Sequence, residues 1–231
     1  MTSFKDRYHI LDISVQLETD SAEFWQRWNG EYRYFKKMSP TTQYLECKVF
    51  LNGLEPNVAV GTQLWTLEHT QNLLGYAFQI LLQEIFRRNT NFWWIHAGVV
   101  EQQGKGILIS GPPGSGKTTM TLELARRGCR FLSDDFCPLH KKQGLVYPFP
   151  RRLWMVQSEK ANGTWARGNK VPVSAENLQI QVASAPVMPK YLFCYEIPIN
   201  EESCELEIAW LTPDHTWMKE LKNIHGRKWQ K

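Results

Sequence analysis

The alternation of apolar and polar residues predicts β-strands in two stretches near the N-terminus. The first stretch covers residues 8–18 and the second covers residues 43–51. Apolar residues occupy every second position: Leu11, Ile13, Val15 and Leu17 in the first stretch, and Leu45, Cys47, Val49 and Leu51 in the second. A shorter strand is predicted near residues 58–60, because turn residues precede it at Asn52-Gly53 and Pro56-Asn57.

A helical period appears between these strands and again after them. Asp20 is predicted to cap the first helix, since Glu23 follows three positions later. Four aromatic residues then share one helical face: Phe24, Trp25, Trp28 and Tyr32. A longer helix is predicted from Trp65 to Arg88, with an apolar stripe typical of a core face. We therefore expect a small α+β region over residues 1–64 and a second domain over residues 65–231.

The second domain is predicted to begin with a β-hairpin. A strand over Phe92–His96 leads to Val99–Glu101, and a turn at residues 102–106 joins these to the apolar run Gly106–Ser110. The short turn favours antiparallel pairing of the two flanking strands. A helix over Thr119–Arg127, closed by a glycine, and a strand over residues 129–133 follow. The predicted fold class is α/β, with a mixed rather than a purely parallel sheet.

Beyond residue 133 the pattern predicts strands separated by turns and one long loop. A turn at residues 140–144 precedes a returning strand at residues 145–147, and residues 158–177 are polar enough to indicate a loop. A long loop beside a functional site is a candidate lid or substrate-binding segment. Two further strands are predicted at residues 191–195 and 206–210, and a last helix from residue 212 through residue 221.

Composition and charge narrow the function classes. The formal net charge of the 231 residues is +4, which calls for neither nucleic acid nor an anionic membrane as a partner. The basic residues near the C-terminus are interpreted as a solvated helix end. Five cysteines, without C-x-x-C spacing, favour thiols in a reducing compartment. No apolar leader or membrane-length apolar run is present, so a cytoplasmic protein is expected.

The strongest chemical signal is a glycine-rich loop between the predicted strand and helix. Gly111-Pro112-Pro113-Gly114-Ser115-Gly116-Lys117-Thr118 matches G-x-x-x-x-G-K-[ST] at every required position, and Thr119 follows it in the helix. Backbone N–H groups and the positive helix end would surround a phosphate there. Lys117 would reach the β- and γ-phosphates and Thr118 would bind Mg²⁺. The alternative is a glycine-rich turn that matches by chance.

Two adjacent carboxylates follow shortly after this loop. Asp134 and Asp135 end the strand expected beside the Gly106–Ser110 strand, which would bring them near Mg²⁺ and the γ-phosphate. One carboxylate could bind the metal while the other accepts the proton of an attacking hydroxyl. The alternative is an acidic turn that merely caps a strand.

Two further residues are weaker candidates. His96 ends the strand before the hairpin, where a single histidine is more often a satisfied core residue. Arg151 and Arg152 follow a Pro-Phe-Pro turn and could supply a guanidinium to the phosphates. On composition alone, surface charge is an equal explanation for both arginines.

Four of these motifs, in this order and spacing, resemble the C-terminal kinase domain of HPr kinase/phosphorylase. They are His96-Ala97-Gly98, the Gly111–Thr118 loop, Ala125-Arg126-Arg127-Gly128 and Leu132-Ser133-Asp134-Asp135. The chain is similar above all to smaller HPr-kinase-related proteins of bacteria, which the Pro148–Arg151 stretch also resembles. The specific likeness covers about 60 residues and a looser one most of the chain.

This resemblance implies the P-loop fold shared with phosphoenolpyruvate carboxykinase. It also implies ATP as the phosphate donor, Mg²⁺, and an acceptor hydroxyl that is typically a serine of a protein or peptide. Asp134 aligns with the general base, Asp135 with a metal-site acid and His96 with the active-site histidine of that family. Members often form oligomers, so a homo-oligomer is one expectation.

One segment departs from the family pattern. HPr kinases carry a later Glu-x-Arg-Gly-type segment, whereas residues 158–163 stand in roughly that place here and supply only Glu159. A kinase reaction is therefore expected, and a reverse phosphorylase reaction is not assigned. Two other interpretations stay open: an ATP-binding interaction module without phosphotransfer, and a small-molecule kinase or plain NTPase.

Overall fold

The structure is a computed structural model that describes residues 3–36, 41, 43–68, 70, 72–156, 159–161, 164–166, 169–196 and 205–210. The chain folds into two compact units, Met1–Phe92 and Trp93–Lys231. The helix predicted from residue 212 through residue 221 lies outside the described residues. Both units combine helices with sheets, so the α/β class predicted from the sequence is confirmed.

The first unit is built on a five-stranded sheet in the order β1-β2-β3-β4-β5. Strands β2 and β3 are parallel, and the other neighbouring pairs are antiparallel. Helix α1 connects the parallel pair, and a 3₁₀ turn follows it. The elements are β1 (Phe4–Ile10), β2 (Ile13–Thr19), α1 (Ala22–Tyr32), the 3₁₀ turn (Arg33–Lys36), β3 (Gln43–Phe50), β4 (Asn57–Val60), β5 (Gln63–Thr66) and α2 (Leu73–Arg88).

The single strand predicted over residues 8–18 is wrong, because the chain forms a hairpin there. Ile10 pairs with Ile13 at the end of β1 and β2, and Leu11 adopts φ 55° in the connecting turn. Leucine seldom adopts a left-handed conformation, and Asp12 is the one typical turn residue at this point, too weak a signal to interrupt the apolar alternation. The strands predicted over residues 43–51 and 58–60 are confirmed as β3 and β4.

Both helices of the first unit differ from the prediction at their starts. Ser21, not Asp20, caps α1 by accepting a hydrogen bond from the backbone N–H of Phe24 at 3.2 Å. Asp20 instead accepts from the N–H groups of Leu51 and Asn52. Helix α2 begins at Leu73 rather than at residue 65, because residues 63–66 form β5.

Helix α2 packs on the first unit through an aromatic core. The Phe78 ring lies 4.9 Å from the Trp28 ring and 6.2 Å from the rings of Phe24 and Tyr32. The predicted shared face of α1 is confirmed for Phe24, Trp28 and Tyr32, which are fully buried. By packing alone α2 belongs to the first unit. The functional boundary predicted after residue 64 stays a prediction.

The second unit is built on a five-stranded sheet in the order β16-β15-β8-β7-β9. Strand β8 is antiparallel to β7 and parallel to β15, so the predicted hairpin and mixed sheet are confirmed. Its elements are β6 (Phe92–Ile95), β7 (Ala97–Gln102), β8 (Lys105–Ser110), α3 (Lys117–Arg126), β9 (Arg130–Ser133), β10 (Cys137–His140), β11 (Leu153–Val156), β12 (Glu159–Ala161), β13 (Thr164–Ala166), β14 (Lys170–Val173), β15 (Met188–Glu196) and β16 (Glu205–Trp210).

The sequence predicted that strand β9 lies beside β8, and this prediction is wrong. Strand β9 pairs with β7, which stands between them and is antiparallel to both. Because β8 and β9 therefore run in the same direction, their carboxyl ends still meet the same edge of the sheet. The core of this unit packs on one cluster of buried side chains: Ala97, Val99, Leu108, Leu132, Cys137, Leu139, Val146, Ala183, Val187, Leu192 and Cys194.

The long loop predicted over residues 158–177 is wrong, because much of that stretch is strand. Strands β11 and β14 pair antiparallel, and β12 and β13 form a second antiparallel pair within the same excursion of the chain. We call residues 153–173 the arm. Polar residues and glycines surround Val171 and Val173 in the sequence. The apolar alternation there is therefore too weak to predict a strand. In the part of the chain that is described, no helix is both long and apolar enough to cross a membrane.

Candidate active site

The candidate site lies at the sheet edge where β8 and β9 end and β7 begins. The glycine-rich loop leaves β8 after Ser110 and enters α3 at Lys117. The Asp pair leaves β9 after Ser133, and His96 immediately precedes β7. The topology thereby brings together three motifs that are up to 39 residues apart in the sequence.

The glycine-rich loop turns into α3 through a residue that requires glycine. Gly116 caps the helix with φ 94°, a left-handed conformation that costs other residues free energy. The N–H of Ser115 donates to the carbonyl of Pro112 at 3.2 Å, and the N–H of Met120 donates to the carbonyl of Gly116 at 2.9 Å. The first N–H groups of α3 have no partner within the helix, which suits the positive helix end to an anion.

Lys117 is the first residue of α3 and is 7% exposed. Its ammonium donates to the carbonyls of Gly111 at 2.9 Å and Pro112 at 3.0 Å. Burial lowers the pKa of Lys117, while the charges of Asp135 and Asp134 raise it. A partly desolvated ammonium held inside the loop can bind an anion more strongly than an exposed lysine can.

Thr118 joins the loop to the Asp pair. Its hydroxyl donates to Oδ2 of Asp134 at 3.0 Å. Asp134 is 5% exposed, and its second carboxylate oxygen, Oδ1, is buried without a hydrogen-bond partner among the described residues. Burial and the neighbouring Asp135 raise the pKa of Asp134 to about 7, against the opposing effects of Thr118 and Lys117. A carboxyl with such a pKa can take up and release a proton near neutral pH.

Asp135 and His96 form the exposed side of the site. Nδ1 of His96 lies 3.0 Å from the backbone oxygen of Asp135 and 4.0 Å from its Oδ1. The side chains are 42% and 41% exposed. Asp135 has φ 70°, a strained conformation for a residue with a side chain, and such strain is common at functional sites. His96 is therefore not a buried core histidine, which was the alternative interpretation.

Gly98 of β7 packs closely against Thr121 of α3, and Thr121 contacts the backbone of Lys117. The sequence alone did not indicate this contact. A Cβ on Gly98 would lie 2.0 Å from Oγ1 of Thr121, so β7 and α3 pack closely only because residue 98 is glycine. Thr121 is fully buried, and its hydroxyl donates to the carbonyl of Lys117 at 2.9 Å. This contact gives a packing reason for the glycine of the His96-Ala97-Gly98 motif.

Arg151 lies close to the Asp pair in the fold. Its guanidinium carbon is 5.2 Å from the centre of the Phe136 ring, and Phe136 follows Asp135 directly. Phe136 packs edge-on against Phe149, which in turn packs edge-on against Trp94. The cation–π contact holds Arg151 against the residue that follows the Asp pair, and phosphate binding by Arg151 stays a prediction.

The oxygen atoms at the site suit a hard cation such as Mg²⁺. Thr118, Asp134 and Asp135 offer hydroxyl and carboxylate oxygens, and Oδ1 of Asp134 is buried without a partner among the described residues. Mg²⁺ at phosphate sites is usually held by one or two carboxylates together with the phosphates of the substrate. In the described part of the chain, no three His, Cys, Asp or Glu side chains form a metal-holding cluster.

Fold and site together define a mixed α/β protein in which a glycine-rich loop at a helix N-terminus faces an acidic pair. No protein-family model matches the chain. Comparison with curated proteins finds several matches described as HPr kinase/phosphorylase. One, from Limosilactobacillus reuteri, is 36% identical over 96 residues, which cover 41% of this chain and 28% of the relative.

Two other relatives with the same description come from different bacteria. The match to Lachnoclostridium phytofermentans is 32% identical and covers 49% of this chain and 41% of the relative. The match to Treponema pallidum is 33% identical and covers 46% of this chain and 34% of the relative. The chain thus spans about a third of the length of the relatives that it matches. It is related to the HPr kinase/phosphorylases, which confirms the resemblance seen in the motifs.

Proposed function

We propose that this protein is an ATP-dependent kinase that transfers the γ-phosphate to a serine, or another hydroxyl, of a protein or peptide. Its second unit would then be a P-loop core of the HPr kinase and phosphoenolpyruvate carboxykinase type. The observation that carries the proposal is the 3.0 Å hydrogen bond between Thr118 and Asp134. It joins the residue expected to bind the metal and phosphates to a buried carboxyl expected to handle the proton.

The loop and the start of α3 would bind the triphosphate. The ammonium of Lys117 and the backbone N–H groups of the non-proline residues between Gly111 and Thr119 would donate to phosphate oxygens, and Arg151 would approach from the Phe136 side. Bound phosphates would displace the carbonyls of Gly111 and Pro112 as acceptors for Lys117. Thr118 and Asp135 would hold Mg²⁺, which would supply positive charge to neutralise the phosphates.

Asp134 would act as the general base. As the acceptor hydroxyl attacks, its proton passes to Asp134, a bond forms between the acceptor oxygen and the γ-phosphorus, and the bond to the β–γ bridging oxygen breaks to release ADP. A pKa of about 7 suits this role, because the carboxyl is then largely ionised above neutral pH. His96 would hold the strained Asp135 turn in place through its contact with the backbone oxygen of that residue.

The acceptor is proposed as a class only. The relatives are described as HPr kinases, which makes HPr the first protein to test. The departure at residues 158–163 from the family segment leaves other proteins and peptides as candidates. A homo-oligomer and a cytoplasmic location stay predictions.

The test is transfer of label from γ-labelled ATP in the presence of Mg²⁺, with HPr and serine-containing peptides as acceptors. Lys117→Ala should weaken ATP binding about tenfold or more, because a charge-assisted phosphate contact is lost. Asp134→Asn should keep ATP binding but reduce transfer by a factor of about 100 to 10,000, the usual contribution of a general base. Lys105→Ala, at the start of β8 and therefore at the opposite end of that strand from the loop, is the matched control and should change neither quantity.

Two outcomes would count against the proposal. Full-rate transfer by Asp134→Asn would remove Asp134 as the base. ATP binding that depends on Lys117, without transfer to any acceptor and without hydrolysis, would favour an ATP-binding interaction module. Asp135→Asn tests the metal ligand separately. A higher Mg²⁺ concentration should partly restore phosphate transfer by Asp135→Asn, whereas it should not restore transfer by Asp134→Asn.

A further inference from the structure

Strand β15 lies beside β8, on the side away from β7 and β9. It pairs parallel with β8, and Cys194 stands opposite Ser110, the last residue before the glycine-rich loop. Both strands therefore run towards the sheet edge that carries the candidate active site. Tyr195 follows Cys194 in β15 and stands next to Gly111, the first residue of the loop.

The base of the Tyr195 side chain lies directly against the glycine-rich loop. A Cβ placed on Gly111 would lie 2.7 Å from Cβ of Tyr195 and 3.1 Å from its backbone oxygen. The loop can leave β8 this close to the end of β15 because residue 111 has no side chain. Tyr195 itself is half-buried, so part of its surface remains accessible to a ligand.

The pairing of the strands fixes the face of the sheet on which Tyr195 lies. Gly98 of β7 packs on α3, and it stands opposite Ile109, which stands opposite Phe193 of β15. Residues that stand opposite each other share a face of the sheet, as do residues two positions apart on one strand. Tyr195 therefore lies on the face that α3 covers, whereas Cys194 belongs to the core cluster on the other face.

The acidic pair indicates the direction in which a bound nucleotide would run. Thr118 contacts Asp134 at the end of β9, and β9 and β15 lie on opposite sides of β8. A γ-phosphate held between Lys117 and the acidic pair would occupy the β9 side of the loop. The α-phosphate and the nucleoside would then extend away from the acidic pair, towards the side on which β15 ends at Tyr195.

We propose that Tyr195 is a nucleoside-binding residue whose ring stacks on the base of the bound nucleoside triphosphate. This inference rests on the proposed binding of ATP, and it adds a residue outside the recognised motifs. Stacking uses the flat face of the base, which every base offers. Tyr195 therefore raises the affinity for adenine and guanine nucleotides alike, and it makes no contribution to the binding of a phosphate chain that lacks a nucleoside.

The test compares how the full chain binds the Mg²⁺ complexes of AMP-PNP, a non-hydrolysable analogue of ATP, and of tripolyphosphate, which has no nucleoside. Tyr195→Leu keeps an apolar side chain against Gly111 but removes the ring. It should lower the affinity for AMP-PNP about tenfold and leave that for tripolyphosphate within about twofold. Tyr195→Phe, which keeps the ring, should bind both ligands as the wild type does. Tyr191→Leu, four residues earlier on the same face of β15 and about 13 Å away, is the matched control and should change neither affinity.

An equal loss of affinity for both ligands in Tyr195→Leu would show that Tyr195 only positions the loop, and would overturn the nucleoside contact. An unchanged affinity for AMP-PNP would overturn it as well. A wild-type protein that binds neither ligand would overturn this inference together with the proposed function. If only AMP-PNP binding depends on Tyr195 but the wild-type protein transfers label to no acceptor, the kinase proposal fails while the contact of Tyr195 stands. Thermal unfolding without ligand verifies that each variant is folded at the temperature of the titrations.

Discussion

At the residue scale, Asp134 combines two opposing demands. One carboxylate oxygen accepts from Thr118, and the other is buried without a hydrogen-bond partner among the described residues. A buried and incompletely solvated carboxylate is costly for the folded state. The same burial gives the group the raised pKa that the proposed proton transfer uses. Asp134 should therefore reduce stability in the absence of ligand.

We predict that Asp134→Asn stabilises the protein in the absence of nucleotide and Mg²⁺. The pKa of Asp134 is about 7 in the folded protein against 3.8 for an ordinary aspartate, so between these values the folded state holds more protons than the unfolded state. Stability of the wild type should then fall as pH rises from about 4 to about 7, and level off above. The variant should be more stable by up to about 4 kcal/mol at a pH of about 8, because each pKa unit corresponds to about 1.4 kcal/mol, and the difference should shrink towards acidic pH.

Urea denaturation of both proteins at a series of pH values from about 5 to about 8, with EDTA present, measures this difference. Lys105→Ala, at the start of β8, again provides the control. A gap between wild type and Asp134→Asn that is constant with pH would contradict the assigned titration. A less stable variant would show instead that the Thr118 contact outweighs the cost of burial.

At the element scale, helix α3 and strand β7 approach each other closely at Gly98. We predict that Gly98→Ala destabilises the protein by about 1–3 kcal/mol, because the added Cβ would lie 2.0 Å from Oγ1 of Thr121 and force the helix away. Thr121 cannot easily rotate out of the way, since its hydroxyl donates to the carbonyl of Lys117. Displacement of α3 should therefore weaken nucleotide binding as well as stability.

The double variant Gly98→Ala/Thr121→Ala tests this explanation. Removal of the threonine hydroxyl should recover part of the lost stability, which would appear as a coupling free energy in a double-mutant cycle. Additive effects of the two substitutions, measured by urea denaturation, would show that the close approach is not the cause. Gly104→Ala affords a comparison, since nothing lies within 4 Å of its added Cβ, although its φ of 79° carries its own strain.

The elements show which parts of the site are readable from the sequence. The loop from Gly111 to Thr118 is local, so its strand, turn and helix all follow from neighbouring residues. The contact between Thr118 and Asp134 follows from spacing only if the strand order is known, and that order differs from the prediction because β7 separates β8 from β9. Pairing between distant strands leaves no local signal, which also explains why the polar sequence of the arm predicts a loop.

Turns in which an apolar residue takes a positive φ are the other source of error. Leu11 adopts a positive φ inside an apolar run, so the alternation continues through the hairpin as though it were one strand. Gly61, with φ 59°, is a clearer turn signal and lies in the turn between β4 and β5. The helix was nevertheless predicted to start shortly after it, at residue 65. Residues 63–66 form a strand rather than a helix because β5 pairs with β4 at an edge of the sheet in the first unit.

At the scale of the whole molecule, each compact unit has its own buried core. The first is aromatic, with Trp28 fully buried among Phe24, Tyr32 and Phe78, and the second is largely aliphatic around Leu132. All the proposed nucleotide-binding residues belong to the second unit. Loss of packing in the first core should therefore affect stability without a direct effect on the residues that bind the nucleotide.

We predict that Trp28→Ala destabilises the protein by about 3–5 kcal/mol yet leaves the affinity for ATP within about twofold at a temperature where the variant is folded. Leu132→Ala, a buried position shortly before Asp134, should cost about 2–5 kcal/mol and also weaken ATP binding, because β9 positions the acidic pair. Calorimetry and direct titration with ATP measure the two quantities on the same samples. A large loss of ATP affinity in folded Trp28→Ala would show that the first unit contributes to the nucleotide site, and the functional boundary after residue 64 would then need to be redrawn.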